Sequence, residues 1–395
     1  MSHHSKVYQS VLRHQGDLMR RFPCLSRPQA QVLGLWCVGV MVTGKCSLTR
    51  VSLVMAGVLG RPSNTMRQRL REWYLDAPQK RGRNRRGLDV EPCFPFLARW
   101  ALSKWKGRDL VLGLDATSLG ERFVVLCVSL LFRSCAIPLI WTVLPAKEPD
   151  SWRKHWLRML RQLRPAIPPS YRVLVMADRG LFARWLFRRI VRLGWHPFMR
   201  INKESTFRPD GERDFLHTDT LTRGVEGCGA LRGTAFKTDG RRLNCTLAIY
   251  HEKGCAEPWF VLTDIAPEGC HAYWYGLRSW IEQGFKRLKS GGWCWPSTRI
   301  NDPARTQRFW LVLAVTTLWS MLVGSHDEDR ANSGQKNNQH RTISLFLRST
   351  ILVLLSLCEN RMLPWYNVLK PEALPSPSGP RHADDAPLVF RLDTS

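Results

Sequence analysis

Apolar residues recur at helical spacing through the first hundred positions, with few β-branched alternations before Leu110, so the pattern predicts a helical N-terminal segment. Within it, SLTRVSLVMAGVLGRPSNTMRQRLREWY has the shape of a helix-turn-helix. A first helix near 49–59 should break at Gly60, Arg61 and Pro62, and Ser63 or Asn64 should cap a second that runs to about Tyr74. Arg67, Arg69 and Arg71 belong to that second helix and are the kind of side chain that lies against phosphates. A plain helical hairpin with a solvated basic face explains the same residues. The run KRGRNRRG over 80–87 is dominated by Lys and Arg and interrupted by two glycines, which predicts a flexible basic linker.

From Asp109 the pattern changes. DLVLGLDATSL, RFVVLCVSLLF and AIPLIWTVLP are three β-branched apolar runs separated by short polar breaks, as in a meander. A helix over 151–163, a strand RVLVMAD, a helix near 181–193 and a strand HPFMRI follow, and this succession is the order of the ribonuclease H fold. Residues 202–263 read as a β-rich insertion. A helix is expected over 272–289 and another over 303–323. The polar stretch SHDEDRANSGQKNNQHR reads as a loop, an apolar helix should cover 343–359, and the Pro-rich end after Leu363 should be disordered or lie on the surface. The expected organisation is an α/β protein: a helical DNA-binding domain over 1–79, a basic linker and connecting helix over 80–105, and a ribonuclease H-like core over 106–201 and 264–325. The insertion at 202–263 interrupts that core, and a C-terminal helical region and tail cover 326–395.

Charge narrows the partners. The 395 residues include 59 Lys and Arg against 32 Asp and Glu, a formal charge of +27, which implies a polyanionic partner. The apolar runs 309–323 and 32–42 fall short of a membrane span, and MSHHSKVYQS lacks the apolar stretch of a secretory signal, so a cytoplasmic, nucleoid-associated protein with no membrane partner is expected. Twelve cysteines without a C-x-x-C pair argue against a zinc finger, and the size of the chain argues against a disulfide framework. Buried apolar thiols are the expectation.

The chemistry should lie with the carboxylates. Asp115 and Asp178 each end an apolar strand, and with strands one and four adjacent both would project from one sheet edge, as oxygen ligands for a hard divalent cation. Either alone could simply end a strand or cap a turn. On a helix of 3.6 residues per turn, Tyr275, Arg278, Glu282 and Lys289 fall on one narrow stripe, which could also be a solvated charged face. The spacing Y-(2)-R-(3)-E-(6)-K, with LDATSL and MADRGL before it, resembles the signature of the insertion-sequence-four group of DDE transposases over about 105–325.

That resemblance implies that Asp115, Asp178 and Glu282 are catalytic and hold two Mg²⁺ or Mn²⁺ ions. It makes Tyr275, Arg278, Lys286 and Lys289 phosphate contacts on a transposon end. It matches Trp259 to an aromatic that in some relatives stacks on a flipped base, although an ordinary strand tryptophan fits as well. The implied activity is cut-and-paste transposition on double-stranded DNA, transposon ends and target alike, by a homodimer in the DNA complex. A ribonuclease H-like nuclease without strand transfer and a domesticated DNA-binding protein are the alternatives.

Overall fold

The computed structural model describes residues 6–82, 85–147, 151–222, 227–251, 257–333, 343–375 and 388–389. Five helices come first: α1 (Lys6–Arg21), α2 (Arg27–Thr43), α3 (Leu48–Leu59), α4 (Ser63–Arg71) and α5 (Phe94–Leu102). Ser47 caps α3, accepting from the Arg50 amide, and Gly60 ends it in the left-handed region, where a side chain is costly. The second helix of the pair stops at Arg71 rather than Tyr74, and its N-cap is Pro62 instead of Ser63 or Asn64. Trp73 is drawn into the core beyond it, with its indole N–H donating to the Arg308 carbonyl at 3.2 Å.

The next block is β1 (Asp109–Leu119), β2 (Phe123–Phe132), β3 (Cys135–Pro145), α6 (Arg153–Leu163), β4 (Arg172–Ala177), α7 (Arg184–Arg192) and β5 (His196–Ile201). Then come β6 (Thr206–Pro209), β7 (Leu216–His217), β8 (Gly227–Ala235), β9 (Leu243–His251) and β10 (Trp259–Thr263). The chain closes with α8 (Ser279–Lys286), α9 (Pro303–Asn332), α10 (Leu345–Cys358) and β11 (Leu388–Val389). The strands form one sheet in the order β3-β2-β1-β4-β5-β10-β9-β8-β6-β7, with β11 on β8. β1, β2 and β3 are antiparallel, and β4 adds parallel to β1 and β5 parallel to β4. This mixed α/β order fits a ribonuclease H-like core. Strands from 202–263 continue that sheet through the β10–β5 pairing.

Two expectations need correction. The polar stretch after Val323 does not begin as a loop: α9 continues to Asn332. Arg133 reaches Glu328 at 3.1 Å and Asp329 at 2.8 Å, Arg348 reaches Asp327 at 2.8 Å, and His326 stacks on Tyr366. These distant partners neutralise acids that sit unfavourably at a helix C-terminus. The rest of that stretch, 334–341, lies outside the described residues. The tail, in turn, is docked for part of its length, since Leu369 is buried and bridges Trp105 and Trp365 stacks on Trp100.

By length and composition α9 would cross a membrane, yet 94% of its apolar window is buried. It packs on β3, α2 and α10 as the central helix of the core. Helices α1–α4 share that core: Trp36 of α2 meets Phe309 of α9 edge-on at 5.0 Å, and the Cys46 amide donates to the Trp293 carbonyl.

Candidate active site

In the parallel pairing of β1 with β4, Leu114 stands opposite Ala177. The next residues are Asp115 and Asp178, which lie side by side where the parallel ladder ends; Asp178 follows the last residue of β4, but Asp115 does not end its strand as expected, because β1 runs on to Leu119 paired with β2, with Asp115 opposite Cys127. Backbone amides fix one oxygen of each. The Ala116 N–H donates to Asp115 Oδ1 at 2.8 Å, and the Leu181 N–H donates to Asp178 Oδ1 at 3.1 Å.

The other oxygens face Arg278. Its Nη2 lies 3.0 Å from Asp115 Oδ2 and 3.3 Å from Asp178 Oδ2, while Nη1 lies 2.9 Å from Glu282 Oε1. Glu282 comes from α8, one turn after Arg278, and its side chain is 67% exposed. What brings α8 this close is glycine. A Cβ on Gly284 would lie 2.7 Å from the Ala136 Cβ and 3.1 Å from its backbone N and O, and a Cβ on Gly113 would lie 2.3 Å from the Ile281 side chain. Both glycines carry a signal of close approach that sequence reasoning passed over, being lone glycines inside a strand and a helix.

Three carboxylates therefore face one guanidinium, which leaves an excess of negative charge. Burial pushes the Asp115 carboxyl above its ordinary range; Arg278 opposes the shift, and Asp178 and Glu282 add to it. A cluster of hard oxygen donors with unneutralised charge suits Mg²⁺ or Mn²⁺. In the present arrangement Arg278 stands among those oxygens, and among the described residues no group of three His, Cys, Asp or Glu is spaced to hold an ion. The donors fit a divalent ion in kind, with the guanidinium in its way.

The remaining predicted residues are dispersed. The uniform helix expected over 272–289 has three pitches: a 3-10 stretch Ala272–Arg278, the α-helix α8, and a π turn Arg287–Gly291. A stripe laid out at 3.6 residues per turn is lost across such changes. Tyr275 is buried, its hydroxyl pushed up to about 12 by burial against the pull of Arg278 and Arg200. Arg278 is bound to carboxylates. Lys286 is exposed and Lys289 half-buried in the π turn. Trp259, half-buried at the start of β10, meets Tyr275 edge-on at 5.9 Å and Tyr250 at 5.7 Å, and Arg200 lies over both the Trp259 and Tyr275 rings. Arg67 and Arg71 are exposed on α4, Arg67 donating to Thr49 Oγ1 at 2.7 Å.

No curated protein matches the chain. Among solved structures it is similar to a piggyBac transposase synaptic complex with hairpin DNA, at 10% identity and a TM-score of 0.44, over 88% of this chain and 77% of that one. Residues 130–319 match the family model described as the transposase DDE domain, a stretch that contains Asp178, Arg278 and Glu282 and begins after Asp115. That match supports a DDE-type transposase.

Proposed function

We propose that the chain is a cut-and-paste DNA transposase of the insertion-sequence-four type, cytoplasmic and nucleoid-associated, working as a homodimer on paired transposon ends. The observation that carries this reading is the convergence of Asp115, Asp178 and Glu282 on a single cation within 3.3 Å. Two Mg²⁺ or Mn²⁺ ions held by these three carboxylates would supply Lewis acidity at the scissile phosphate. The chain's own residues do the rest. Asp115 and Asp178, each tied to a backbone amide, hold fixed positions and need no reorganisation as the reaction proceeds. Arg278, once released from the carboxylates, is within reach of a phosphate at the same edge, and the exposed Lys286 of α8 and Lys289 of the π turn are the further phosphate contacts of this reading. Water attacks phosphorus first, releasing a 3′-hydroxyl; that hydroxyl then attacks target DNA, so no covalent protein intermediate is needed. Trp259, between Tyr250 and Tyr275, offers one ring face for an unstacked base.

The test is cleavage of a duplex built from the inverted repeats that flank the reading frame. Asp115→Ala, Asp178→Ala and Glu282→Ala should each abolish cleavage in Mg²⁺ or Mn²⁺ while duplex binding stays within a few-fold of wild type. Calcium, with its looser coordination, should support binding without cleavage. Normal cleavage by any one of the three variants overturns the assignment.

A further inference from the structure

A cavity of about 500 Å³ opens between the start of α2, the end of α4 and the loop that follows, well separated in sequence from the carboxylates. Arg69, Lys80, Arg81 and Arg86 line it, against the single acid Glu72. Several described lining residues are hydrogen-bonded to their surroundings. The Lys80 ammonium donates to the Arg86 carbonyl at 2.8 Å, Gln29 donates to the Gly87 carbonyl at 3.3 Å, and the Arg81 amide donates to Glu72 at 3.2 Å. Among the described residues none of the four cations has an acidic partner within ion-pair distance. Burial lowers the Arg69 and Lys80 pKa values; Arg61 lowers the first further and Arg308 the second, while Glu72 and Asp76 act the other way on Lys80. Like charges gathered around a recess are a standing cost unless an anion enters it.

The rest of the lining is apolar at Pro28, Val32 and Trp73 and polar at Ser26 and Gln29. Phosphate alone would need no such surface, whereas a sugar or base would, and the volume lies in the range of ordinary ligand sites. Arg71, two residues past Arg69, lines a second cavity of about 460 Å³ with Tyr74, Arg299, Arg305 and the acid Asp302, so α4 presents cations to two recesses. Two cation-lined recesses beside one short helix suit a polymer better than a free anion. We propose that the first cavity seats an unpaired nucleotide of a DNA strand, its phosphate among Arg69, Arg81 and Arg86 and its ring against Val32 and Trp73. A duplex backbone, being convex and paired, would not fill the recess. The inference rests on the DNA-binding half of the function proposed above and not on its chemistry.

The experiment uses the full chain in EDTA, where no cleavage occurs, with labelled duplexes that are blunt or carry a short single-stranded overhang. Arg81→Ala/Arg86→Ala should weaken binding of the overhang duplex by about tenfold or more and flatten its log–log salt dependence by about 0.7 per lost single-strand phosphate contact, with a smaller effect on the blunt duplex. Arg192→Ala/Arg213→Ala, which removes the same charge from other exposed sites, should not distinguish the two duplexes. Arg81→Lys/Arg86→Lys should keep most of the salt slope, which separates charge from folding. Equal losses on blunt and overhang duplexes, or equal losses from the two alanine pairs, overturn the proposal. So does competition by a free nucleoside monophosphate that is as strong as competition by the strand. Cleavage that fails while this pattern holds would count against the transposase chemistry and leave the cavity assignment standing.

Discussion

Arg278 holds together three acids that would otherwise repel one another, and it does so with a single positive charge. Hydrogen bonds to charged groups are worth roughly 1.5–3 kcal/mol each, so a metal ion must displace several such contacts before it can settle on the same oxygens. Removing the guanidinium should therefore help the ion and hurt the reaction. Arg278→Gln is expected to bind Mn²⁺ about tenfold more tightly in titration calorimetry of the DNA-free protein, while its DNA cleavage falls. Unchanged Mn²⁺ affinity would mean that the guanidinium is not a competitor. The sequence announced the identity of this residue through its spacing from Glu282, but not its state. Spacing reports which residues share a neighbourhood; which charge neutralises which depends on side-chain reach across two strands and a helix.

At the level of elements, β1 to β5 were legible because their β-branched apolar runs are short and sharply bounded. The β2–β3 turn was legible as a short polar break, but its conformation was not. It is made by Arg133 and Ser134, both at positive φ, without the glycine or asparagine that usually marks such a hairpin. The change of pitch between Ala272 and Gly291 was equally hidden, since a 3-10 or π turn is selected by packing more than by composition. Helix α8 owes its position to Gly284, and two effects compete there. Gly284→Ala gains about 1 kcal/mol in helix propensity, but overpacking against the Ala136 backbone costs about 1–3 kcal/mol. The net expectation is a lower urea midpoint and cleavage reduced by tenfold or more, because Glu282 moves with its helix. Wild-type stability together with wild-type cleavage would show that α8 can shift without consequence.

Across the whole molecule, His14 joins three distant parts of the chain. It is buried on α1 between Trp319 of α9 at 4.6 Å and Trp365 of the tail at 4.4 Å, and among the described residues neither ring nitrogen has a hydrogen-bond partner. Burial, aided by Arg21, lowers its pKa from 6.5 to about 3. The folded state thus resists a proton that the unfolded chain accepts. Stability from this group is complete above pH 6.5 and is lost as pH falls towards 3, by roughly 4 to 5 kcal/mol at about 1.36 kcal/mol per unit. His14→Phe should flatten the pH dependence of urea unfolding over that window relative to wild type; parallel curves would mean that His14 is protonated in the fold. The shared core has a further consequence. With Trp36 locked on Phe309 and Trp73 hydrogen-bonded to Arg308, the helices before the basic run and the carboxylates after it behave as the two jaws of a fixed calliper. On the function proposed above, DNA gripped at one jaw would meet the other at a set distance, so the position of a cut relative to a bound feature would be a property of the rigid body, counted in turns of the double helix, and not of the length of the loop between them.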